Sequence, residues 1–223
     1  AITEVKRRGK YLLLSTELAT IIIHLGMSGR LQILDKPAIV NKHDHVDIIF
    51  NNGSLLRFTD PRRFGALVCS ETDPYQHPLL KRLGVEPLSR QFSLLYLTQQ
   101  LQHKRLTIKS ALMDQSIVVG VGNIYATEAL FIAAISPTKF AKTLSLADLK
   151  RLLKAIKSIL RQAIRHGGSS LKDFLNSEGK PGYFSQKLQV YGRAGLPCLR
   201  CKSLLQLIRI GQRSTVYCPH CQS

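Results

Sequence analysis

A chain of 223 residues and 25.0 kDa has room for one large domain or two small ones, each with a buried core. Lys and Arg outnumber Asp and Glu by 32 to 14, giving a formal charge of +18 and a pI near 10.1, an imbalance that favours a polyanionic partner, most often nucleic acid. No apolar run is long enough for a membrane span, no basic helix has an aromatic anchoring face, and the absence of Trp argues against a platform of several stacked rings. The expectation is a cytoplasmic protein that meets DNA or RNA and not a membrane.

The first third reads as β structure. Tyr11–Leu14, Thr20–Leu25, Arg30–Leu34, His45–Phe50 and Ser54–Phe58 are short and rich in apolar or β-branched residues. Gly26-Met27-Ser28-Gly29 and Asn51-Asn52-Gly53 punctuate them, and Asn-Gly between two strands predicts a hairpin turn. A last strand is expected at Ala66–Cys69, after Asp60-Pro61-Arg62-Arg63-Phe64-Gly65. The chain opens on Ala1-Ile2-Thr3-Glu4-Val5 and runs into Lys6-Arg7-Arg8-Gly9-Lys10 as though entering a sheet midway. Pro74, Pro78 and Pro87 then mark residues 73–88 as a linker.

From Ser89 the pattern turns helical, with helices predicted at Ser89–Gln100, Ser110–Met113, Tyr125–Ala134 and Ser145–Arg165. The last sets Leu146, Leu149, Leu152, Leu153, Ile156, Ile159, Leu160 and Ile164 on one face, and Lys150, Arg151, Lys154, Lys157 and Arg161 on a face read as solvated. Gly167-Gly168 stops it, and Ser169–Gly192 is a long loop, functional or disordered, with little pattern until Leu188–Tyr191. Between two helices lies Val118-Val119-Gly120-Val121-Gly122-Asn123-Ile124-Tyr125, which lacks the preceding strand and following acid of a dinucleotide fold. Two readings stand open for it: a phosphate cradle made by helix-start amides and the Asn123 side chain, or a tight turn that needs glycine for packing.

The final two dozen residues carry the most specific signal. Cys198-Leu199-Arg200-Cys201 and Cys218-Pro219-His220-Cys221 are two Cys-x-x-Cys knuckles, sixteen residues apart. That spacing fits four thiolates around one tetrahedral Zn²⁺, with strands at Ser203–Ile208 and Ser214–Tyr217 forming a hairpin between them. Two disulfides are the rival reading; the fifth cysteine, Cys69, left among apolar neighbours, and the lack of a recognisable signal peptide weigh against it. Four cysteines leave no open coordination position, so the metal is expected to be structural and to support the tip Gly211-Gln212-Arg213-Ser214-Thr215.

Lys10-Tyr11-Leu12-Leu13-Leu14, Ile23-His24-Leu25-Gly26-Met27-Ser28-Gly29, Asp60–Gly65, Val119–Ala126 and the cysteine finger together resemble bacterial formamidopyrimidine-DNA glycosylase in order and spacing, over essentially the whole chain. The resemblance implies an α+β multidomain fold: an N-terminal β-sandwich, truncated here, over residues 1–72; a helix-two-turn-helix domain over 89–192; and a β-hairpin zinc finger over 193–223. It implies a monomeric, nucleoid-associated repair enzyme that binds double-stranded DNA, excises oxidised purines (8-oxoguanine and formamidopyrimidines) and cuts the abasic site by β,δ-elimination. Met27, Arg62 and Phe64 would fill the space left by the extruded base, with Arg62 facing the orphaned cytosine. Lys10, His24, Asn123 and Arg213, with His43 and Lys104, would contact phosphates. Lys10 would also serve β-elimination and Arg213 δ-elimination, while the loop around Lys172 would cap the extruded base.

One departure bears on the chemistry. The family's N-terminal proline nucleophile and neighbouring glutamate are absent from this sequence, and Glu4 corresponds to a different strand, so an N-terminal catalytic segment is expected to be missing from the chain. An unpaired sheet edge and an exposed apolar face should accompany that loss. Alternatives are a DNA-binding zinc-finger protein without the chemistry and, more remotely, an RNA-binding zinc ribbon.

Overall fold

The computed structural model describes residues 1–36, 38–168 and 187–222. The chain divides after Lys81, within the proline-marked linker: Ala1–Lys81 make up the body of one compact unit, and Arg82–Ile164 with the finger that of the other.

The first unit holds two antiparallel sheets. One runs in the order β1 (Ile2–Arg8), β2 (Tyr11–Thr16), β3 (Thr20–His24) and β7 (Ala66–Ser70). The other is β4 (Arg30–Leu34), β6 (Leu55–Thr59) and β5 (Asp44–Ile49). The core gathers Leu13, Leu14, Ile22, Ile23, Leu55 and Phe58, and the isoleucine run of β3 is buried at consecutive positions because both faces of that strand are covered. Sequence patterning placed the other strands to within a residue or two but missed β1. Its Lys6-Arg7-Arg8 run looks like a loop, yet each residue pairs with β2, and Lys6 also bonds Glu4 at 2.8 Å. Charged side chains suit β1 to the sheet edge it forms, where Val5 stays exposed. Cys69, expected among apolar neighbours, is exposed on β7.

The second unit contains α1 (Leu94–Leu101), α2 (Ile108–Met113), α3 (Asn123–Ile132) and α4 (Leu146–Arg165). Side-chain caps set the starts: Ser93 accepts from the Tyr96 amide and Thr107 from the Ser110 amide, so α1 begins later and α2 earlier than predicted. Ser145 and Asp148 form a reciprocal capping box at the head of α4. Leu149, Leu152, Ile156 and Ile159 of α4 are buried, whereas Leu146 and Ile164 at its ends are exposed. Its basic face is not wholly solvated, since Arg151 bonds the Ala133 carbonyl and Lys157 reaches the Ser89 carbonyl. Residues 188–191, where the sequence pattern becomes regular, form neither helix nor strand. No described helix is long and apolar enough to cross a membrane.

The finger hairpin is β8 (Gln206–Ile210) and β9 (Arg213–Tyr217). Its core is shared with the helical segment: Cys198, Leu205, Val216 and Cys218 pack with Phe131 of α3 and with Val190. Arg200 lies 4.2 Å from the Phe131 ring centroid and bonds its carbonyl, and Gln222 reaches the Ile135 carbonyl at 2.9 Å. An unsupported hairpin of this size is marginal, which explains why it leans on a helix.

Candidate nucleic-acid interface

In the first unit, the six expected contact residues, Lys10, His24, Met27, His43, Arg62 and Phe64, lie in turns and loops or at strand ends. Lys10 follows the β1–β2 turn and is exposed. It lies near enough to His24 for its charge to act on the ring; burial, and then that charge, hold the imidazole below its usual pKa. His24 is therefore neutral at pH 7. Its Nδ1 accepts the Gly26 amide at 3.0 Å, so the proton sits on Nε2, ready to be donated to an acceptor such as phosphate. The Tyr11 ring packs against it, with centroids 4.8 Å apart.

Met27 and Phe64 are 64% and 59% exposed on neighbouring turns, and Arg62 lies over the Phe64 ring at 5.0 Å. Large apolar side chains bared at turn tips call for an apolar partner. Behind them sits Asp60, 1% exposed, accepting from the Ser28 hydroxyl at 2.8 Å and the Gly65 amide at 2.7 Å. His43 is exposed in the segment leading to β5, and its carbonyl accepts the Asp60 amide. Arg57 fixes that segment with all five donor N–H groups: two to Asp47, one to Asp44, and one each to the Ala38 and Ile39 carbonyls.

The second unit brings Asn123 and the fingertip together through a residue that the sequence reading passed over. Lys109 of α2 is 1% exposed. Its ammonium donates to Asn123 Oδ1 and to Thr215 Oγ1, both at 2.8 Å, while Asn123 Nδ2 donates to the Ser214 carbonyl at 3.0 Å. Burial, then the nearby Arg213 charge, lower Lys109 to about 8. Asn123, expected to turn its amide to phosphate, thus commits one side-chain N–H to the finger and its oxygen to Lys109 of α2; one N–H remains. The glycine loop is packed as a tight turn. Val118, Val119 and Val121 are fully buried, and Gln115 braces the loop by accepting the Gly120 amide and donating to the Val121 carbonyl. Gly122 meanwhile leaves the first turn of α3 without a side-chain cap.

Arg213 opens β9 directly after the Gly211-Gln212 turn and is exposed. With Lys109, Ser110, Met113, Asp114, Ile210, Gly211 and Gln212 it lines an open depression of about 240 Å³. Lys104 lies in the turn between α1 and α2, partly buried, outside the hydrogen-bond chain that joins Asn123 to the finger. Lys172 lies outside the described residues. Glu128, also unanticipated, is fully buried on α3 and accepts the amides of Gln189, Val190 and Tyr191 at 2.8–2.9 Å, tying the chain down just before the finger.

The sulfurs of Cys198, Cys201, Cys218 and Cys221 lie within 4.8 Å of one another. A tetrahedral Zn²⁺ with Zn–S of about 2.3 Å needs sulfurs about 3.8 Å apart, so small adjustments close the cage. The four cysteines form the site of one structural Zn²⁺.

A metal-braced hairpin bonded to a glycine-loop helix, in a chain whose sheet unit displays cations and bare apolar side chains at its turns, defines a zinc-finger nucleic-acid-binding protein. Comparison with known proteins narrows the class. Residues 1–67 match the formamidopyrimidine-DNA glycosylase N-terminal domain, residues 83–175 the H2TH domain of the same enzyme, and residues 195–223 the zinc finger found in FPG and IleRS. Formamidopyrimidine-DNA glycosylases of Shewanella amazonensis and Shewanella denitrificans are each 54% identical over 222 residues, all of this chain and 82% of theirs. Among solved structures, the MutM (Fpg) protein of Thermus thermophilus is 39% identical with a TM-score of 0.91, over 99% of this chain and 82% of its own. The Lactococcus lactis Fpg in complex with DNA containing an abasic site is 35% identical with a TM-score of 0.91, over 100% and 82%. The chain belongs to the formamidopyrimidine-DNA glycosylase family.

Proposed function

We propose that the protein is a base-excision repair enzyme, a DNA glycosylase and abasic-site lyase that removes 8-oxoguanine and formamidopyrimidines from duplex DNA and then cuts the strand by β,δ-elimination. The observation that carries this reading is the chain Asn123–Lys109–Thr215, which fastens the glycine loop to the fingertip and holds Arg213 beside a second cation. Two cations held close by the fold suit a strand backbone with closely spaced negative charges. Held cations also count for more than flexible ones when charge develops at a departing phosphate, the role assigned to Arg213 in δ-elimination.

In the sheet unit, Lys10 is the amine assigned to β-elimination, with neutral His24 and exposed His43 donating to phosphates. Met27, Arg62 and Phe64 enter the duplex where the damaged base has left; extrusion costs a few kcal/mol, and apolar wedges offset part of that by restacking. Arg62 addresses the orphaned cytosine. Lys104 is assigned to a backbone contact and the loop around Lys172 to capping of the extruded base. Excision itself needs an unprotonated amine aimed at the sugar C1′. The chain spans 82% of the length of its formamidopyrimidine-DNA glycosylase relatives, and the amine and the acid that the resemblance assigns to excision are a proline and a glutamate. The enzyme acts as a monomer in the cytoplasm, at the nucleoid.

Borohydride trapping tests the assignment. The natural protein incubated with an 8-oxoguanine duplex should yield a covalent protein–DNA adduct. Lesion binding without any adduct would overturn the enzyme reading in favour of a non-catalytic DNA-binding protein.

A further inference from the structure

We propose that Asp60, acting with Ser28, is a positioning residue that locks three DNA-facing elements of the sheet unit into a single reading head. The inference rests on the assignment of Met27, Arg62 and Phe64 to the duplex made above, and adds how they are made to act together.

The geometry is specific. Asp60 Oδ1 accepts the Ser28 hydroxyl at 2.8 Å, and Ser28 Oγ in turn accepts the Arg62 amide at 3.3 Å. Oδ2 takes the Gly65 amide at 2.7 Å, and the Asp60 carbonyl accepts the Arg63 amide at 3.3 Å. Burial alone would raise this carboxyl; the Gly65 amide, the Ser28 hydroxyl and the two arginine amides outweigh it and hold the group below the usual carboxylate range. Asp60 is thus a buried anion neutralised by donors from two turns, 32 residues apart in sequence at the Ser28 bond.

Its backbone ties in the third element. The Asp60 amide donates to the His43 carbonyl at 2.9 Å, and its own carbonyl accepts His45 Nε2 at 2.9 Å. The turns also touch without intervening side chains. A Cβ placed on Gly26, which has φ +62°, would fall 2.6 Å from the Phe64 carbonyl carbon, and one on Gly65 would fall 2.9 Å from the His24 carbonyl oxygen. With backbone against backbone, and a buried carboxylate bonded to both, neither turn can shift without breaking charge-assisted hydrogen bonds.

A wedge made of separate side chains would enter DNA piecemeal, each ordering at its own cost. A locked head presents Met27, Arg62 and Phe64 already aligned, so loss of one weakens the use of the others. Energetic coupling between Met27 and Phe64 should therefore run through the Ser28–Asp60 contact.

The test is a double-mutant cycle on binding of a duplex carrying an abasic-site analogue opposite cytosine, using the full-length protein. Met27→Ala, Phe64→Ala and the pair are measured in the native background and again with Ser28→Ala, which spares the Asp60 core; Asp60→Asn serves as the stronger variant. In the native background the combined loss should depart about fivefold from the product of the single losses, and with Ser28→Ala it should return to within about twofold of multiplicative. Ser28→Ala should also lower the preference for cytosine over adenine opposite the site while its thermal midpoint stays within a few degrees of native. Undiminished coupling in the Ser28→Ala background overturns the locked head and leaves the assignment of the wedge residues standing. Single variants that bind as tightly as the native protein overturn that assignment, and the locked head with it.

Discussion

Lys109 gives the sharpest quantitative expectation. A fall from 10.5 to about 8 corresponds to about 3 kcal/mol by which folding disfavours the ammonium. Below pH 8 both folded and unfolded chains carry the proton, so the folded state bears the whole penalty. Between pH 8 and 10.5 the unfolded chain holds a proton that the folded one has released, and this group's contribution to stability improves as pH rises. DNA reverses the balance. A phosphate entering the depression lined by Lys109 and Arg213 favours the ammonium, so binding takes up a proton and affinity falls as pH climbs through 8. Full restoration of the proton would give a loss of up to tenfold per pH unit within that window, and we expect about tenfold between pH 7.5 and 9.5, roughly half the ceiling. The assay is fluorescence anisotropy with a labelled lesion duplex at constant ionic strength, native protein against Lys109→Met. The variant should bind more weakly at pH 7.5, because Asn123 Oδ1 and Thr215 Oγ1 lose their donor at about 1–3 kcal/mol, and its affinity should change little with pH. Matching pH slopes for the two proteins would refute the reasoning, since every other titrating amine is common to both.

Three further outcomes are expected. Cys201→Ser should release zinc, seen by a chelating dye, and lower DNA affinity because the tip bearing Arg213 loses its support; full affinity in the metal-free variant would contradict this. Arg213→Ala should weaken binding and reduce the slope of log affinity against log salt by about one, measured from 50 to 200 mM; an unchanged slope would remove Arg213 from the phosphate contacts. Arg62→Ala should narrow the affinity gap between duplexes with cytosine and adenine opposite the lesion, leaving binding to undamaged duplex nearly intact; a uniform loss across all duplexes would make Arg62 a backbone contact instead.

Features legible in the sequence were those whose chemistry is local. The Cys-x-x-Cys knuckles, the Asn52-Gly53 hairpin and the apolar runs of β2 and β3 each show their purpose within a few residues, because turn geometry and metal ligation depend on neighbours along the chain. The polar hubs did not show themselves, because their partners are distant: Lys109 meets Thr215 across 106 positions and Glu128 meets Val190 across 62. A signal was nonetheless present. Lys109 interrupts the apolar stretch formed by Ile108, Ala111 and Leu112, and Glu128 interrupts Ala126, Ala129, Leu130 and Phe131, all buried. A charged side chain set among buried apolar neighbours is almost cut off from water, and leaving it unpaired costs more than such a short helix gains by packing. Each must therefore have a fixed partner elsewhere, and here the partners are the fingertip and the segment that leads to it. The same reasoning explains why the finger packs on the helices: the buried side chains of Lys109 and Glu128 on α2 and α3 find their partners in the finger and in the segment that precedes it.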